Sequence, residues 1–340
     1  MYKTDGHPFV RSQNVGLGQL LLDDIAYIDE DTHQRQKNTE LQLDDVLLNI
    51  TGASIGRSAM ATKEIVGGNV NQHVCIIRTQ DNLISSFLCN FLLSSYGQKQ
   101  IDSFQAGGNR QGLNFEQIKS IKITIPTVNE QCKIAQLLQL VEDRISTQNK
   151  IIEKLQSLIK GIAQHCIKES TSGNTYVKLG DICQITTGKL DANAQVDNGI
   201  YPFFTCAEQP FKIDSFAFDT EALLISGNGA NLGYINYYHG KFNAYQRTYV
   251  LDIFSENIQY IKWALKVLLP KRIAIEKSSS NTPYIVLSTL SDLRLPIPNK
   301  SIQCHIAKLM QSLERKLSSQ IALNGSYNRL KQYLLRQMFI

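Results

Sequence analysis

Ile125-Pro126-x4-Gln131-Cys132-x-Ile134-Ala135-x-Leu137 recurs in the second half of the chain as Ile297-Pro298-x4-Gln303-Cys304-x-Ile306-Ala307-x-Leu309. The match runs without a gap from residues 107–138 onto 279–310, and apolar positions agree along it: Leu113 with Ile285, Phe115 with Leu287, Ile118 with Leu290, Ile121 with Leu293, Ile123 with Leu295. A second shared string lies downstream at the same offset, Arg144-Ile-Ser146-Thr-Gln148 and Lys316-Leu-Ser318-Ser-Gln320. A module, a proline and a long helix, written twice in one chain, describe a pseudo-two-fold object. Such an object suits a partner that is itself linear and roughly two-fold, and duplex DNA leads the candidates.

The helical segments carry the clearest periodicity. From Ile134 a 4-3-4-3 spacing picks out Leu138, Val141, Ile145, Gln148, Ile152, Leu155, Ile159, Ile162 and Cys166, a heptad seam with one polar member. The second copy runs through Ile306, Met310, Leu313 and Leu317, then less regularly through Ile321, Leu330, Leu334 and Met338. Each helix is expected to span about 38 residues, or roughly 55 Å at 1.5 Å per residue. A proline stands before each start, and Glu169-Ser-Thr-Ser-Gly-Asn174 ends the first. A narrow seam suits a helix partner better than a broad sheet face, so the two are expected to pack as an antiparallel pair. Gln148 and Gln320 fall at equivalent sites, either as a polar layer that sets register or as exposed residues.

The modules read as strand-rich. Residues 46–50 and 222–226 are apolar strands running into small-residue turns, Thr51-Gly-Ala-Ser-Ile-Gly56 and Gly227-Asn-Gly-Ala-Asn-Leu-Gly233. Later strands follow at 74–78 and 249–253, with one helix per module near 83–96 and 258–269. The fold class is therefore α+β, with two strand-rich globules and an antiparallel pair of long coiled-coil helices. The boundaries are a first module at 1–126, a first helix at 127–170, a second module at 171–298 and a second helix at 299–340.

Composition limits the function classes. No apolar run approaches membrane-spanning length, and the opening Met1-Tyr-Lys-Thr-Asp-Gly is not a signal peptide. Seven scattered cysteines, with no C-x-x-C pair, read as reduced, buried thiols of a cytoplasmic protein and as no metal site. The formal net charge is +5, yet residues 1–126 carry 11 basic and 13 acidic side chains and residues 177–298 carry 11 of each, while residues 299–340 carry seven against one. DNA affinity in the modules must then come from local clusters, of which Lys262, Lys266, Lys271, Arg272 and Lys277 form the most obvious.

Enzyme-like strings fail on inspection. Gly227-Asn-Gly229-Ala-Asn-Leu-Gly233 follows a strand as a dinucleotide loop would, but the spacing is wrong. The next residues, Tyr234-Ile-Asn-Tyr-Tyr238, favour strand, so no helix N-terminus is there for a phosphate. Asn281-Thr-Pro-Tyr284 is similar to the loop that holds a flipped base in amino-methyltransferases, but it lacks the first proline and a Gly-rich cofactor loop upstream. The six histidines show neither triad nor metal spacing. What remains is a set of polar, glycine-bordered loops whose Arg, Asn and Gln side chains suit base edges and phosphates. In the first module they offer Arg11, Gln13, Asn14, Thr51, Ser54, Arg57, Asn71, Gln72, Asn109, Arg110 and Gln111. In the second they offer Lys189, Asn228, Asn231, Lys241, Tyr245, Gln246, Arg247, Asn281 and Thr282.

With module, Ile-Pro-x4-Gln-x-x-Ile-Ala and heptad helix all duplicated, the chain resembles the specificity (S) subunits of Type I restriction–modification enzymes. Val177-Lys-Leu-Gly-Asp-Ile182 is similar to the opening of that family's target-recognition domains, as is the sweep from Tyr201-Pro-Phe-Phe to Gly240-Lys-Phe-Asn-Ala-Tyr-Gln-Arg-Thr. The resemblance implies a non-catalytic subunit that reads a bipartite double-stranded DNA target and docks two methyltransferase subunits, with restriction subunits joining the complex. It also implies that S-adenosylmethionine, ATP and Mg belong to those partners. The first module has no counterpart of residues 177–182. It begins at His7-Pro-Phe9, which resembles Tyr201-Pro-Phe203, so the N-terminal part of the first target-recognition domain, expected by analogy with the second, is missing. An incomplete or silent specificity cassette is one alternative reading. A stand-alone base methyltransferase and a coiled-coil interaction protein are others.

Overall fold

The computed structural model describes residues 3–105, 112–170, 175–277 and 284–339. The chain divides into two compact units, Met1–Lys150 with Ile321–Ile340, and Ile151–Gln320. Each unit therefore takes a part of both long helices.

Unit 1 contains β1 (His7–Val10), β2 (Ala26–Ile28), α1 (Glu30–Arg35), β3 (Val46–Asn49), β4 (Ser58–Met60), β5 (Asn69–Val70) and β6 (Val74–Ile77). The helices α2 (Ser85–Leu93), α3 (Ser95–Ser103) and α4 (Phe115–Lys119) follow, and then α5 (Val128–Glu169). The strands form two three-stranded sheets, ordered β2-β1-β5 and β4-β3-β6. Val46, Leu47 and Leu48 are wholly buried, which accounts for the uninterrupted apolar run of β3. The single helix expected near residues 83–96 is two. Ser94 is extended between them, and its hydroxyl accepts from the Gly97 amide at 3.1 Å. A Cβ at Gly97 would lie 2.2 Å from the Phe91 carbonyl, so the tight junction needs glycine.

Unit 2 contains β7 (Thr175–Lys178), β8 (Gln184–Thr187), β9 (Tyr201–Phe204), β10 (Phe211–Ile213), β11 (Phe218–Ser226), β12 (Ile235–Ala244) and β13 (Thr248–Asp252). Then come α6 (Ile258–Lys277), α7 (Leu287–Ser291), β14 (Arg294–Ile297) and α8 (Lys300–Gln337). Six strands form one sheet, β10-β9-β12-β11-β13-β8, and β14 pairs separately with β7.

The two units repeat one plan. β1 pairs antiparallel with β2 and parallel with β5 at Phe9–Asn69, as β9 pairs with β10 and with β12 at Phe203–Asn243. His7-Pro-Phe9 and Tyr201-Pro-Phe203 thus occupy the same place. β3 pairs with β6 as β11 pairs with β13. Unit 1 departs from the plan in splitting its strands into two sheets, and among its described residues nothing stands where β7 and β8 stand in unit 2. β6 accordingly has only β3 beside it, and residues 121–125, which align with β14, form no strand.

The helices pack antiparallel. In unit 1, Asn149 meets Asn324, Glu142 pairs with Lys331, and Leu138 shares a core with Leu335 and Phe339, so one helix descends as the other ascends. In unit 2, Leu155, Ile159, Ala163 and Ile167 share a core with Ile306, Met310, Leu313 and Leu317. The expected seam of α5 holds from Leu138 to Ile159 and includes Gln148, which is 5% exposed and therefore lies inside. Towards its end the buried positions are Ala163 and Ile167, with Ile162 and Cys166 half-covered. A straight α-helix drifts against a strict heptad repeat, which moves the seam by one position. The seam expected of α8 is corrected further. Ile321 and Leu330 are exposed at 49% and 43%, because the face turned to α5 there carries Asn324 and Lys331, which bond across.

Candidate nucleic-acid interface

In unit 1 the chain leaves β3 at Asn49 and re-enters β4 through a turn closed by main-chain bonds. The Asn49 amide donates to the Arg57 carbonyl at 2.9 Å, and the Gly56 amide donates to the Asn49 carbonyl at 3.0 Å. Gly52 and Gly56 take φ of +70° and +82°, a conformation that side-chain-bearing residues rarely adopt. The turn is tied to its neighbours. Ile50 N–H donates to His73 O at 3.0 Å, Leu113 N–H donates to Ile50 O at 2.8 Å, and the Asn49 side-chain amide donates to Ser12 O at 2.8 Å. Thr51 Oγ1 lies 2.7 Å from His73 Nδ1, and Gln72 Nε2 lies 3.2 Å from His73 Nε2. Thr51, Ser54, Arg57, Asn71 and Gln72 are thereby brought into one loop cluster, with Arg57 and Gln72 exposed.

Unit 2 builds the same skeleton from a different sequence. Ser226 N–H donates to Tyr234 O at 3.0 Å, and Gly233 N–H donates to Ser226 O at 2.8 Å, with Gly229 and Gly233 at φ +79° and +81°. Gly227 N–H donates to Arg247 O at 2.8 Å and Ile285 N–H to Gly227 O at 2.9 Å. Gln246 N–H donates to Leu190 O at 2.9 Å, which brings the neighbouring Lys189 to the cluster. Asn231 donates from its side chain to Cys206 O at 3.0 Å. Asn228, Asn231, Tyr245, Gln246, Arg247 and Lys189 are thus gathered, and Lys189, Gln246 and Arg247 are exposed. Sequence reasoning passes over His73 and Cys206. The turn of each unit leans on one of them, but a lone histidine and a lone cysteine carry no pattern to find.

Several candidates are placed otherwise. Asn14 is 1% exposed: its Nδ2 donates to Leu21 O and Asp24 O, and its Oδ1 accepts from the Arg11 amide. It holds a turn and presents nothing outward. Arg11 and Gln13 both bond to Asp24, whose carboxylate offsets the charge of Arg11. Lys241 stands opposite Asp219 in the β11–β12 ladder, its ammonium 4.6 Å over the Phe216 ring. Asn109, Arg110, Gln111, Asn281 and Thr282 lie outside the described residues.

The basic cluster expected on α6 is partly turned inward, while Lys271 is exposed and the side chain of Lys277 lies outside the described residues. Lys262 is 6% exposed and pairs with Glu314 of α8 at 2.8 Å; Lys266 pairs with the same carboxylate at 3.3 Å and lies 4.4 Å over the Trp263 ring. Burial pulls the Lys266 ammonium below its ordinary range, against the pull of Glu314. Arg272 pairs with Glu276 one turn on. Lys262 and Lys266 serve the α6–α8 contact, because a helix packed by its lysine face needs an acid on its partner.

All seven cysteines are free thiols, two of them buried. Among the described residues no group of three His, Cys, Asp or Glu could hold a metal, and no helix is long and apolar enough to cross a membrane.

A sequence model described as the Type I restriction modification DNA specificity domain matches the chain twice, at residues 4–157 and 171–324. The EcoDI specificity subunit of Escherichia coli, a Type I restriction enzyme component, is 42% identical over 143 residues, covering 42% of this chain and 32% of that one. A putative Type I subunit of Methanocaldococcus jannaschii, the MjaX specificity subunit, is 24% identical over 186 residues, covering 53% of this chain and 43% of that one. The matched stretches thus span less than half of either relative. Among solved structures, the S subunit of the Type I restriction–modification system from M. genitalium superposes with a TM-score of 0.67 at 18% identity, over 100% of this chain and 90% of that chain.

Proposed function

Because the chain belongs to the family of Type I restriction modification DNA specificity domains, we propose that it is a specificity subunit that reads double-stranded DNA and catalyses nothing itself. The observation that carries this reading is the loop skeleton built twice. Both units close a turn on two glycines of positive φ and tie it by main-chain bonds to the loop before the next strand. The scaffold is shared, while the side chains it presents differ: Thr51, Ser54 and Arg57 in one, Asn228 and Asn231 in the other. A rigid frame with variable polar tips fits a device that reads two different sequences by the same means.

Each unit then reads one half of a bipartite target, and the spacer between the halves is left unread. The helices dock two methyltransferase subunits, and restriction subunits join that assembly. S-adenosylmethionine, ATP and Mg are bound by those partners, in the cytoplasm. The test is reconstitution with methyltransferase subunits of a related system. The assembled complex is expected to protect a DNA duplex with two short half-sites and to leave the spacer unprotected. A complex that assembles but protects no sequence, or an isolated chain that binds S-adenosylmethionine, would overturn the reading.

A further inference from the structure

β1 ends at Val10 and β9 ends at Phe204, and the chain that follows each is held by the same two bonds. The Asn71 amide donates to Val10 O at 3.0 Å, as the Tyr245 amide donates to Phe204 O at 2.9 Å. Two residues on, the Asn49 side-chain amide donates to Ser12 O at 2.8 Å, as that of Asn231 donates to Cys206 O at 3.0 Å. Residues 10–13 and 204–207 therefore run through equivalent places, each tied to the glycine-closed turn of its unit and to the loop before the next strand.

What the two stretches present differs. Unit 2 has Thr205 and Ala207 there; Thr205 is buried and its hydroxyl accepts from the Ala207 amide at 3.2 Å. Unit 1 has Arg11 and Gln13, and both reach Asp24. Arg11 Nη2 donates to Asp24 O at 2.6 Å and lies 3.2 Å from Asp24 Oδ2, and Gln13 Nε2 donates to the same Oδ2 at 2.5 Å. A guanidinium and an amide converging on one anionic oxygen form the kind of donor set that holds a DNA phosphate.

The shape of the loop does not depend on the Asp24 carboxylate. The main chain of Asp24 is held separately, because its carbonyl also accepts from the side chain of the buried Asn14 at 3.2 Å. The carboxylate is 80% exposed, against 19% for the Arg11 side chain. An ion pair so open to water is weak, and another anion can replace one half of it at little cost. An exposed carboxylate in a cluster of loops that faces DNA otherwise only repels it.

We propose, resting on the DNA reading given above, that Arg11 and Gln13 form a site for a backbone phosphate of the DNA bound by unit 1, and that Asp24 fills this site in the free chain as an internal competitor. On binding, the two side chains exchange Asp24 Oδ2 for a phosphodiester oxygen, while the bond from Asn14 to Asp24 O keeps the loop in place. The exchange neutralises one phosphate and uncovers one carboxylate beside it, so it adds almost nothing to counterion release. Asp24 thus lowers the affinity of unit 1 for any duplex, whatever its sequence.

The test uses the complex assembled with methyltransferase subunits and a labelled duplex of random sequence, since phosphate contacts carry no sequence information. Affinity is read by fluorescence anisotropy over a range of salt. Asp24→Asn is expected to tighten binding about threefold and to steepen the plot of log affinity against log salt by about one. Arg11→Ala is expected to weaken binding and to cancel most of the gain from Asp24→Asn when the two are combined. Gln13→Ala, which removes a neutral donor, should weaken binding with the slope unchanged, and it decides the matter if Arg11→Ala does not fold. Asp23 is exposed and has no hydrogen-bond or ion-pair partner among the described residues, so Asp23→Asn removes the same charge without the contact and should gain less. Equal gains from Asp23→Asn and Asp24→Asn would overturn the proposal, because general repulsion then accounts for both. So would an unchanged slope in Asp24→Asn, or a loss of affinity, which would make the carboxylate a brace for Arg11. A complex that binds no duplex in any form would overturn the DNA reading itself, and this site with it.

Discussion

Gln131 and Gln303, equivalent positions of the internal repeat, make the same three kinds of contact and are both buried, at 0% and 1% exposure. Each Oε1 accepts the amide at the head of a helix, from Ile84 at 2.9 Å and Asn257 at 3.0 Å. Each Nε2 donates to the carbonyl of the preceding proline, at 3.0 Å from Gln131 and 2.8 Å from Gln303, and to a third acceptor, Asn82 O or Glu256 Oε2. The glutamine of the repeated Pro-x4-Gln string is therefore a clasp that joins each long helix to its module.

Replacing either glutamine by leucine orphans a helix amide and a proline carbonyl in the interior. Each substitution is expected to cost about 2–4 kcal/mol, because two desolvated groups lose their partners. Urea denaturation would measure it. A loss of less than about 1 kcal/mol at both sites, below the usual cost of even one orphaned group, would show that the clasp is incidental.

Glu314 neutralises Lys262, which is 6% exposed, so Glu314→Gln should destabilise unit 2 by roughly 2–3 kcal/mol, less than a wholly buried pair because Glu314 keeps part of its surface in water. Thermal unfolding reads the loss. In the assembled complex, Lys266→Gln should leave the salt dependence of DNA binding unchanged, since that charge faces Glu314. A fall in the slope would return α6 to the DNA interface.

Arg57 and Arg247 are exposed, and among the described residues neither has a carboxylate within ion-pairing distance. Converting either to alanine in the assembled complex is expected to weaken DNA binding. If the contact is to phosphate, the loss is uniform across sequences and the salt slope falls by about one; if it is to guanine, discrimination at one base pair falls by about 1–3 kcal/mol. Unchanged affinity in both variants would place the interface elsewhere.

Thiol reactivity offers an independent map. Burial pushes the Cys75 and Cys89 thiols up to about 11 and the Cys183 thiol up to about 12, so all three should resist iodoacetamide at mildly alkaline pH until the protein unfolds. Cys206 touches the Arg247 carbonyl within the loop cluster of unit 2. Bound DNA should slow its alkylation and leave that of Cys132 unchanged. Equal rates at Cys206 with and without DNA would count against the cluster.

The parts legible in the sequence are those whose physics is local or periodic. The internal repeat, the proline-led helices and the seam from Leu138 to Ile159 follow from residue spacing alone, and β3 and β11 end in turns where their glycines indicate. The break at Ser94 is hidden because it depends on Gly97 meeting the Phe91 carbonyl, a contact that composition does not announce. Lys262 and Lys266 of α6 look like part of a basic patch because their partner, Glu314, lies far along the chain on another helix. Asn14 looks like a base-reading residue because asparagine caps a turn and contacts adenine with the same atoms. The polar loops can be located but not ranked, since exposure and pairing are set by tertiary contacts.

Independent reading by the two units is open to one decisive experiment: exchange of residues 177–298 for the corresponding module of another family member, followed by methylation mapping in cells that supply the methyltransferase subunits. One half-site is expected to change while the other half-site and the spacer length stay as they were. A swap that alters both half-sites, or that changes the spacer, would contradict it.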